Sequence, residues 1–108
     1  SMAKGYIVLF PENFVAEEYE DQIKAIFSDT SDEYEEYRFE IMDRINDFAN
    51  GGETIYNSDE SFEFSGFIDL IISLAIQLEC LITEIPIYDG ETFITNLRGC
   101  EEKLTELL

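Results

Sequence analysis

The sequence predicts a mainly α-helical protein: a four-helix bundle-like single domain over residues 1–108 that accommodates one or two short strands, an α+β variant. Its 108 residues can enclose one hydrophobic core. Apolar residues make up 45% of the chain, as in ordinary globular proteins. They also recur at helical spacing over most of its length. Ser1, ahead of Met2, is interpreted as a cloning remnant.

The N-terminal half predicts one short strand and two helices. Residues 6–10, YIVLF, form an apolar, β-rich run that Pro11 ends, which favours a strand over a packed lead-in segment. Helical spacing over residues 14–27 predicts a first amphipathic helix. A second helix is predicted over residues 32–49, with Asn50 and two glycines at its end. Its expected core stripe is Tyr34, Tyr37, Ile41, Ile45 and Phe48.

The C-terminal half predicts two more helices. Residues 53–66 are polar and are expected to form a surface loop with at most one short turn or strand. Residues 66–82 are apolar nearly all round and predict a central helix. A membrane span is disfavoured because polar residues interrupt this segment and it falls short of about 20 apolar residues. Pro86 is expected to end it, with a brief extended piece following. A final helix is predicted from the spacing of Phe93, Leu97, Cys100, Leu104 and Leu107.

The acidic composition limits the kinds of partner that the protein can bind. With 25 acids against 6 bases, the net charge is -19, and self-repulsion of this size is kept either for a partner or for a salty environment. Nucleic acid and anionic membranes would be repelled, so neither is expected as a direct partner. A basic protein surface is the natural complement.

Enzymatic and metal-binding functions are not expected. The chain has no histidine, which excludes Ser-His and Cys-His catalysis and histidine metal sites. Residues 29–40 place oxygens as a calcium loop would, but Tyr34 stands where that loop needs glycine. No catalytic residue, metal or cofactor is therefore assigned.

The two cysteines point to a reducing compartment. Cys80 and Cys100 sit at apolar positions and are interpreted as small buried hydrophobic residues, with a disulfide between them left open. The N-terminus lacks the features of a secretory signal, so a cytoplasmic location is expected.

Five acids of the second helix form what we call the acidic stripe: Glu33, Glu36, Glu40, Asp43 and Asp47. Spacings of three and four residues place them on one arc of the helix. Like charges at these spacings repel by a few tenths of a kcal/mol per pair. This cost favours a partner-binding role, although a merely solvated helix face is the alternative. The following loop adds further candidate partner-binding residues: Glu53, Tyr56, Asp59 and Glu60.

The order of these features resembles the small acidic immunity proteins that neutralise colicin-type nucleases. The matching pieces are AEEYEDQIKAIFSDTSDE, ANGGETIYNSDES and FSGFIDLI, within about residues 14–72. The resemblance implies a four-helix fold whose second helix and following Tyr-containing segment contact a basic nuclease. It implies contact roles for Glu33, Glu36, Glu40, Asp43, Glu53 and Tyr56. Asn57 stands where that family has a second tyrosine, and the tail after Leu78 is longer.

The sequence thus predicts an acidic inhibitor of a basic, nucleic-acid-handling protein, first of all an immunity protein or antitoxin for a nuclease toxin. One alternative is a phage-encoded DNA or RNA mimic that blocks a restriction or CRISPR complex. Another is a structural or adaptor domain whose acidity reflects its environment. The sequence leaves the oligomeric state open.

Overall fold

The computed structural model describes residues 3–27, 31–57, 66–87, 90–98 and 105, and it has an α+β fold. Within these ranges the elements in chain order are β1 (Ala3–Leu9), a 3₁₀ turn (Ala16–Tyr19), α1 (Glu20–Ile26), α2 (Ser31–Gly51), β2 (Thr54–Tyr56), α3 (Phe67–Gln77), β3 (Leu81–Ile87) and β4 (Phe93–Asn96). The predicted four-helix bundle is therefore wrong. Three α-helices accompany a four-stranded mixed sheet in the described part of the chain.

The sheet has the strand order β2-β4-β1-β3. Strand β1 pairs antiparallel with β3 and parallel with β4, and β2 runs antiparallel to β4 at the other edge. The strand predicted at residues 6–10 is confirmed as β1, one of the two central strands. Its apolar run reflects this central position, because side chains alternate between the two faces and both faces are buried here.

Each face of the sheet carries its own apolar cluster. Val8, Ile55 and Ile94 belong to the main core, which they share with the three helices. The opposite face has a smaller buried cluster of Ile7, Ile85, Ile87 and Phe93. The Phe93 ring lies directly over Gly5, where an added Cβ would come within 2.7 Å of the ring Cζ. Glycine at this position lets the ring lie flat against β1.

The predicted final helix is wrong at its start, because Phe93 opens strand β4 instead. All four residues of β4 are buried, and the strand lies between β2 and β1. A short strand with both faces buried cannot be distinguished from a helix by periodicity alone. Leu97 is not helical either, and its N–H donates to the Val8 carbonyl at 2.8 Å. The other three positions of that prediction, Cys100, Leu104 and Leu107, lie outside the described residues.

The predicted central helix is confirmed over α3 but ends earlier than expected. The Cys80 N–H donates to the Ala75 carbonyl and the Glu79 N–H to the Ile76 carbonyl, while Glu79 adopts a positive φ of 54°. This is a Schellman ending with a non-glycine residue at the left-handed position, so the sequence carries no stop signal there. Pro86 does not end the segment but lies within edge strand β3, where a missing N–H is tolerated.

The helices that the structure describes do not have membrane-spanning character. None of them combines the length and the apolar content needed to cross a bilayer.

Candidate partner-binding surface

Helix α2 packs one side into the main core and turns the acidic stripe away from it. Its predicted core stripe is buried at Tyr34, Ile41, Ile45 and Phe48. Tyr37 is half-buried and marks a kink, with φ -109° and ψ 18°. Because the acids lie on the opposite arc of the helix, burial of the apolar side leaves them facing solvent.

The structure brings four of the five stripe residues together on one exposed helical face. Glu36, Glu40, Asp43 and Asp47 are all exposed, and all but Glu36 follow the kink. They span roughly 16 Å along the helix at about 1.5 Å rise per residue. Glu33 is half-buried and therefore does not belong to this exposed set.

The bases near α2 are already engaged by acids outside the stripe. The pairs are Lys24 with Glu35 at 3.2 Å, Arg38 with Glu20, and Arg44 with Glu53 at 3.0 Å. No ion pair among the described residues involves a stripe carboxylate. The stripe is therefore a row of negative charge without a counter-ion from the described part of its own chain.

The Arg38–Glu20 pair fixes α1 to α2. Arg38 Nε donates to Glu20 Oε1 at 2.8 Å, and Nη2 donates to the second carboxylate oxygen. These hydrogen bonds from Arg38 hold the pKa of the Glu20 carboxyl below its usual value. The Tyr34 hydroxyl is buried beside the pair, and burial, reinforced by the Glu20 charge, raises the pKa of Tyr34.

Asparagine side chains hold α2 against the rest of the molecule. Asn46 Oδ1 accepts a hydrogen bond from the Ala16 N–H at 2.7 Å, and Asn50 Nδ2 donates to the Phe14 carbonyl at 2.9 Å. From strand β4, Asn96 Nδ2 donates to the carbonyl of Phe48 at 2.9 Å and to that of Ala49. The last two carbonyls lie in the final turn of the helix, where no intrahelical donor is available. The stripe therefore stands on a helix that is fixed at both its side and its end.

The predicted loop residues have different placements. Glu53 is half-buried and paired with Arg44, so its charge is compensated. Tyr56 belongs to β2 and is half-buried, with its ring centroid 6.0 Å from that of Phe93. It packs on the sheet cluster opposite the helices. Asp59 and Glu60 lie outside the described residues.

The sequence reasoning missed one exposed aromatic residue. Phe39 is 77% exposed on α2, three residues after Glu36 and four before Asp43. The sequence signal for its exposure is its position: Phe39 lies between Arg38 and Glu40 and does not share the helical spacing of the predicted core stripe. An apolar residue on the polar arc departs from the amphipathic pattern of the helix.

Of the two cysteines, Cys80 belongs to the described part of the chain. Cys80 is half-buried with a free thiol, and burial raises its pKa. Cys100 lies outside the described residues. Across the described ranges, no group of three or more potential ligand side chains is arranged to hold a metal ion.

Comparison of the chain with protein-family models, with curated proteins and with solved structures finds no match.

Proposed function

We propose that this protein is an acidic inhibitory binding protein that presents the stripe of α2 to a basic, nucleic-acid-handling protein, in the manner of an immunity protein or antitoxin for a nuclease toxin. The observation that carries the proposal is the row of four exposed carboxylates without an ion pair among the described residues. Stripe residues Glu36, Glu40, Asp43 and Asp47 are its contact residues.

The charge of the stripe supports this class of partner. Four carboxylates over roughly 16 Å produce a directed negative field that attracts a base-rich surface and raises the rate of encounter. Proteins that handle nucleic acid carry such basic surfaces, because they must neutralise phosphates. An acidic protein seated on that surface would block it.

The fold gives no support to the immunity-protein interpretation. The four-helix fold that the resemblance implied is not the fold of this chain, so the interpretation stands on charge and exposed geometry. The protein could occupy the nucleic-acid-binding groove of its partner or bind beside that groove, and an experiment can separate these two modes. A protein that occupies the groove loses its partner when the partner is preloaded with nucleic acid, whereas one that binds beside the groove does not.

The test uses two variants of equal net charge. The stripe-neutral variant carries Glu36→Gln, Glu40→Gln, Asp43→Asn and Asp47→Asn. The off-stripe variant carries Glu12→Gln, Glu18→Gln, Asp21→Asn and Glu79→Gln, all exposed positions outside the ion pairs of the described residues. The wild-type protein and the two variants are used separately as bait for affinity capture from a lysate of the source organism at low salt. The captured basic protein is then purified and assayed for nuclease activity.

We expect the wild-type and off-stripe proteins to retain and inhibit a basic nuclease or nucleic-acid-binding protein. The stripe-neutral protein should lose both effects. Binding should weaken at about 0.5 M salt, where the screening length falls to a few ångströms. Equal retention by the two variants would contradict a role for the stripe. Capture of partners without any nucleic-acid-related activity would contradict the proposed class.

A further inference from the structure

Phe39 projects from the acidic stripe into solvent. Its 77% exposure is the highest among the large hydrophobic side chains of the described ranges. Glu36 and Asp43, at three and four residues from it, are its neighbours on the helix. A single exposed apolar side chain is ordinary on a protein surface. This one stands among uncompensated carboxylates, where a partner drawn by the stripe would make contact.

The Phe39 ring is also supported from within the protein. The guanidinium carbon of Arg38 lies 5.1 Å from the ring centroid, within the range of a cation–π contact. Arg38 is itself fixed by its two hydrogen bonds to Glu20. The ring therefore has less conformational freedom to lose on binding, and Glu20 offsets the positive charge that would oppose a basic partner.

We infer that Phe39 is the apolar anchor of this surface, and that the partner receives it in an apolar pocket bordered by lysine or arginine side chains. The inference rests on the proposed function, which supplies the basic border, and adds the pocket and the residue that fills it. The negative charge of the stripe requires basic residues at the border of the partner's pocket. The exposed Phe39 ring requires apolar residues at the centre of that pocket. Aromatic anchors at the centre of an interface, with charged residues around them, carry much of the binding energy.

The test uses two synthetic peptides of equal length and equal positive charge. The residues between the lysines are leucine in one peptide and serine in the other. Affinities are measured by titration calorimetry for the wild-type protein, Phe39→Ala and the stripe-neutral variant. Ile76→Ala is the matched control, because Ile76 is 63% exposed on α3.

We expect the wild-type protein to bind the Lys-Leu peptide about tenfold more tightly than the Lys-Ser peptide, on the scale of a single anchor residue. Phe39→Ala should remove most of this preference and leave the Lys-Ser affinity unchanged. Ile76→Ala should leave both affinities unchanged, and the stripe-neutral variant should weaken both. Circular dichroism checks that each variant is folded.

The outcomes separate the two proposals. Equal wild-type affinity for the two peptides, or an unaltered preference in Phe39→Ala, overturns the anchor and leaves the charge-based function standing. Wild-type binding to neither peptide, or undiminished binding by the stripe-neutral variant, overturns the proposed function and the anchor with it.

Discussion

Gly5 and Glu20 each take part in a close contact that joins two elements of the fold. Gly5 is required because the Phe93 ring fills the space where a side chain would begin. Glu20 is one of many acids in the sequence, yet it forms the two-point contact with Arg38 that joins α1 to α2. Both roles depend on residues distant in sequence, so composition and periodicity could not predict them.

Substitution of Gly5 by alanine should destabilise the protein. The added Cβ would lie 2.7 Å from Phe93 Cζ, so the ring or the strand must shift, at a cost of about 1–3 kcal/mol in the free energy of unfolding. Gly51→Ala is the control, because a Cβ added there would meet nothing within 4 Å and alanine favours helix. Chemical denaturation measures both. Equal stability of Gly5→Ala and the wild-type protein would contradict the close packing of Phe93.

The Glu20–Arg38 pair should make stability depend on pH. The folded-state pKa of Glu20 lies below its usual value of 4.5, so the contribution is fully present above that pH and is lost as the pH falls through the folded pKa. The difference in unfolding free energy between the wild-type protein and Glu20→Gln should therefore be largest above pH 4.5 and shrink in acid. A difference that stays constant down to low pH would show that the carboxylate charge has no part in the pair.

At the scale of elements, α2 is held by side chains from other parts of the chain. The Asn96 amide reaches from β4 to the carbonyls of Phe48 and Ala49 in the last turn of α2. Asn96 is fully buried, so no water can replace its donor group. This contact ties the helix that carries the stripe to a central strand of the sheet.

Asn96→Ala should therefore lower the free energy of unfolding by about 1–3 kcal/mol, because two helix-end carbonyls lose their donor. Asn96→Asp keeps the side-chain size but turns a carboxylate toward those carbonyls, and should be at least as destabilising. Thermal and urea unfolding of both variants provide the measurement. Wild-type stability in Asn96→Asp would show that packing, and not hydrogen bonding, is what Asn96 contributes.

The helices and strands differ in how clearly the sequence marks them. Helix α2 and its exposed acids were predicted because a long amphipathic segment carries a clear period. Strand β4 was missed because four buried residues carry no period, and the end of α3 was missed because Glu79 takes a conformation that usually marks glycine. The kink at Tyr37 also has no signal in the sequence. Phe39 is visible in the sequence as an apolar residue among the acids of α2, but a site predicted from charge alone does not include it.

At the scale of the whole molecule, a net charge of -19 works against folding. The stripe concentrates part of that repulsion on one helix, with three successive pairs of like charges from Glu36 to Asp47. A few tenths of a kcal/mol per pair gives about 1 kcal/mol in total. The surface that we propose to bind a partner is thus also a source of instability in the free protein.

Added salt should stabilise this protein by screening its self-repulsion. We expect the thermal midpoint to rise between low salt and about 0.5 M sodium chloride, and the stripe-neutral variant to gain less from the same salt. At low salt that variant should be more stable than the wild-type protein by about 1 kcal/mol. An identical salt response in the two proteins would mean that the stripe carboxylates do not repel one another appreciably.

We propose that this acidic protein meets a basic surface through α2. The most direct test of this proposal is a nuclear magnetic resonance titration of the isotope-labelled protein with the Lys-Ser peptide at low salt. We expect the amide shift changes to cluster on residues 36–47. The off-stripe variant should keep this pattern, and the stripe-neutral variant should lose it. Shift changes centred on residues 12–21, or spread evenly over the acidic surface, would contradict the proposal.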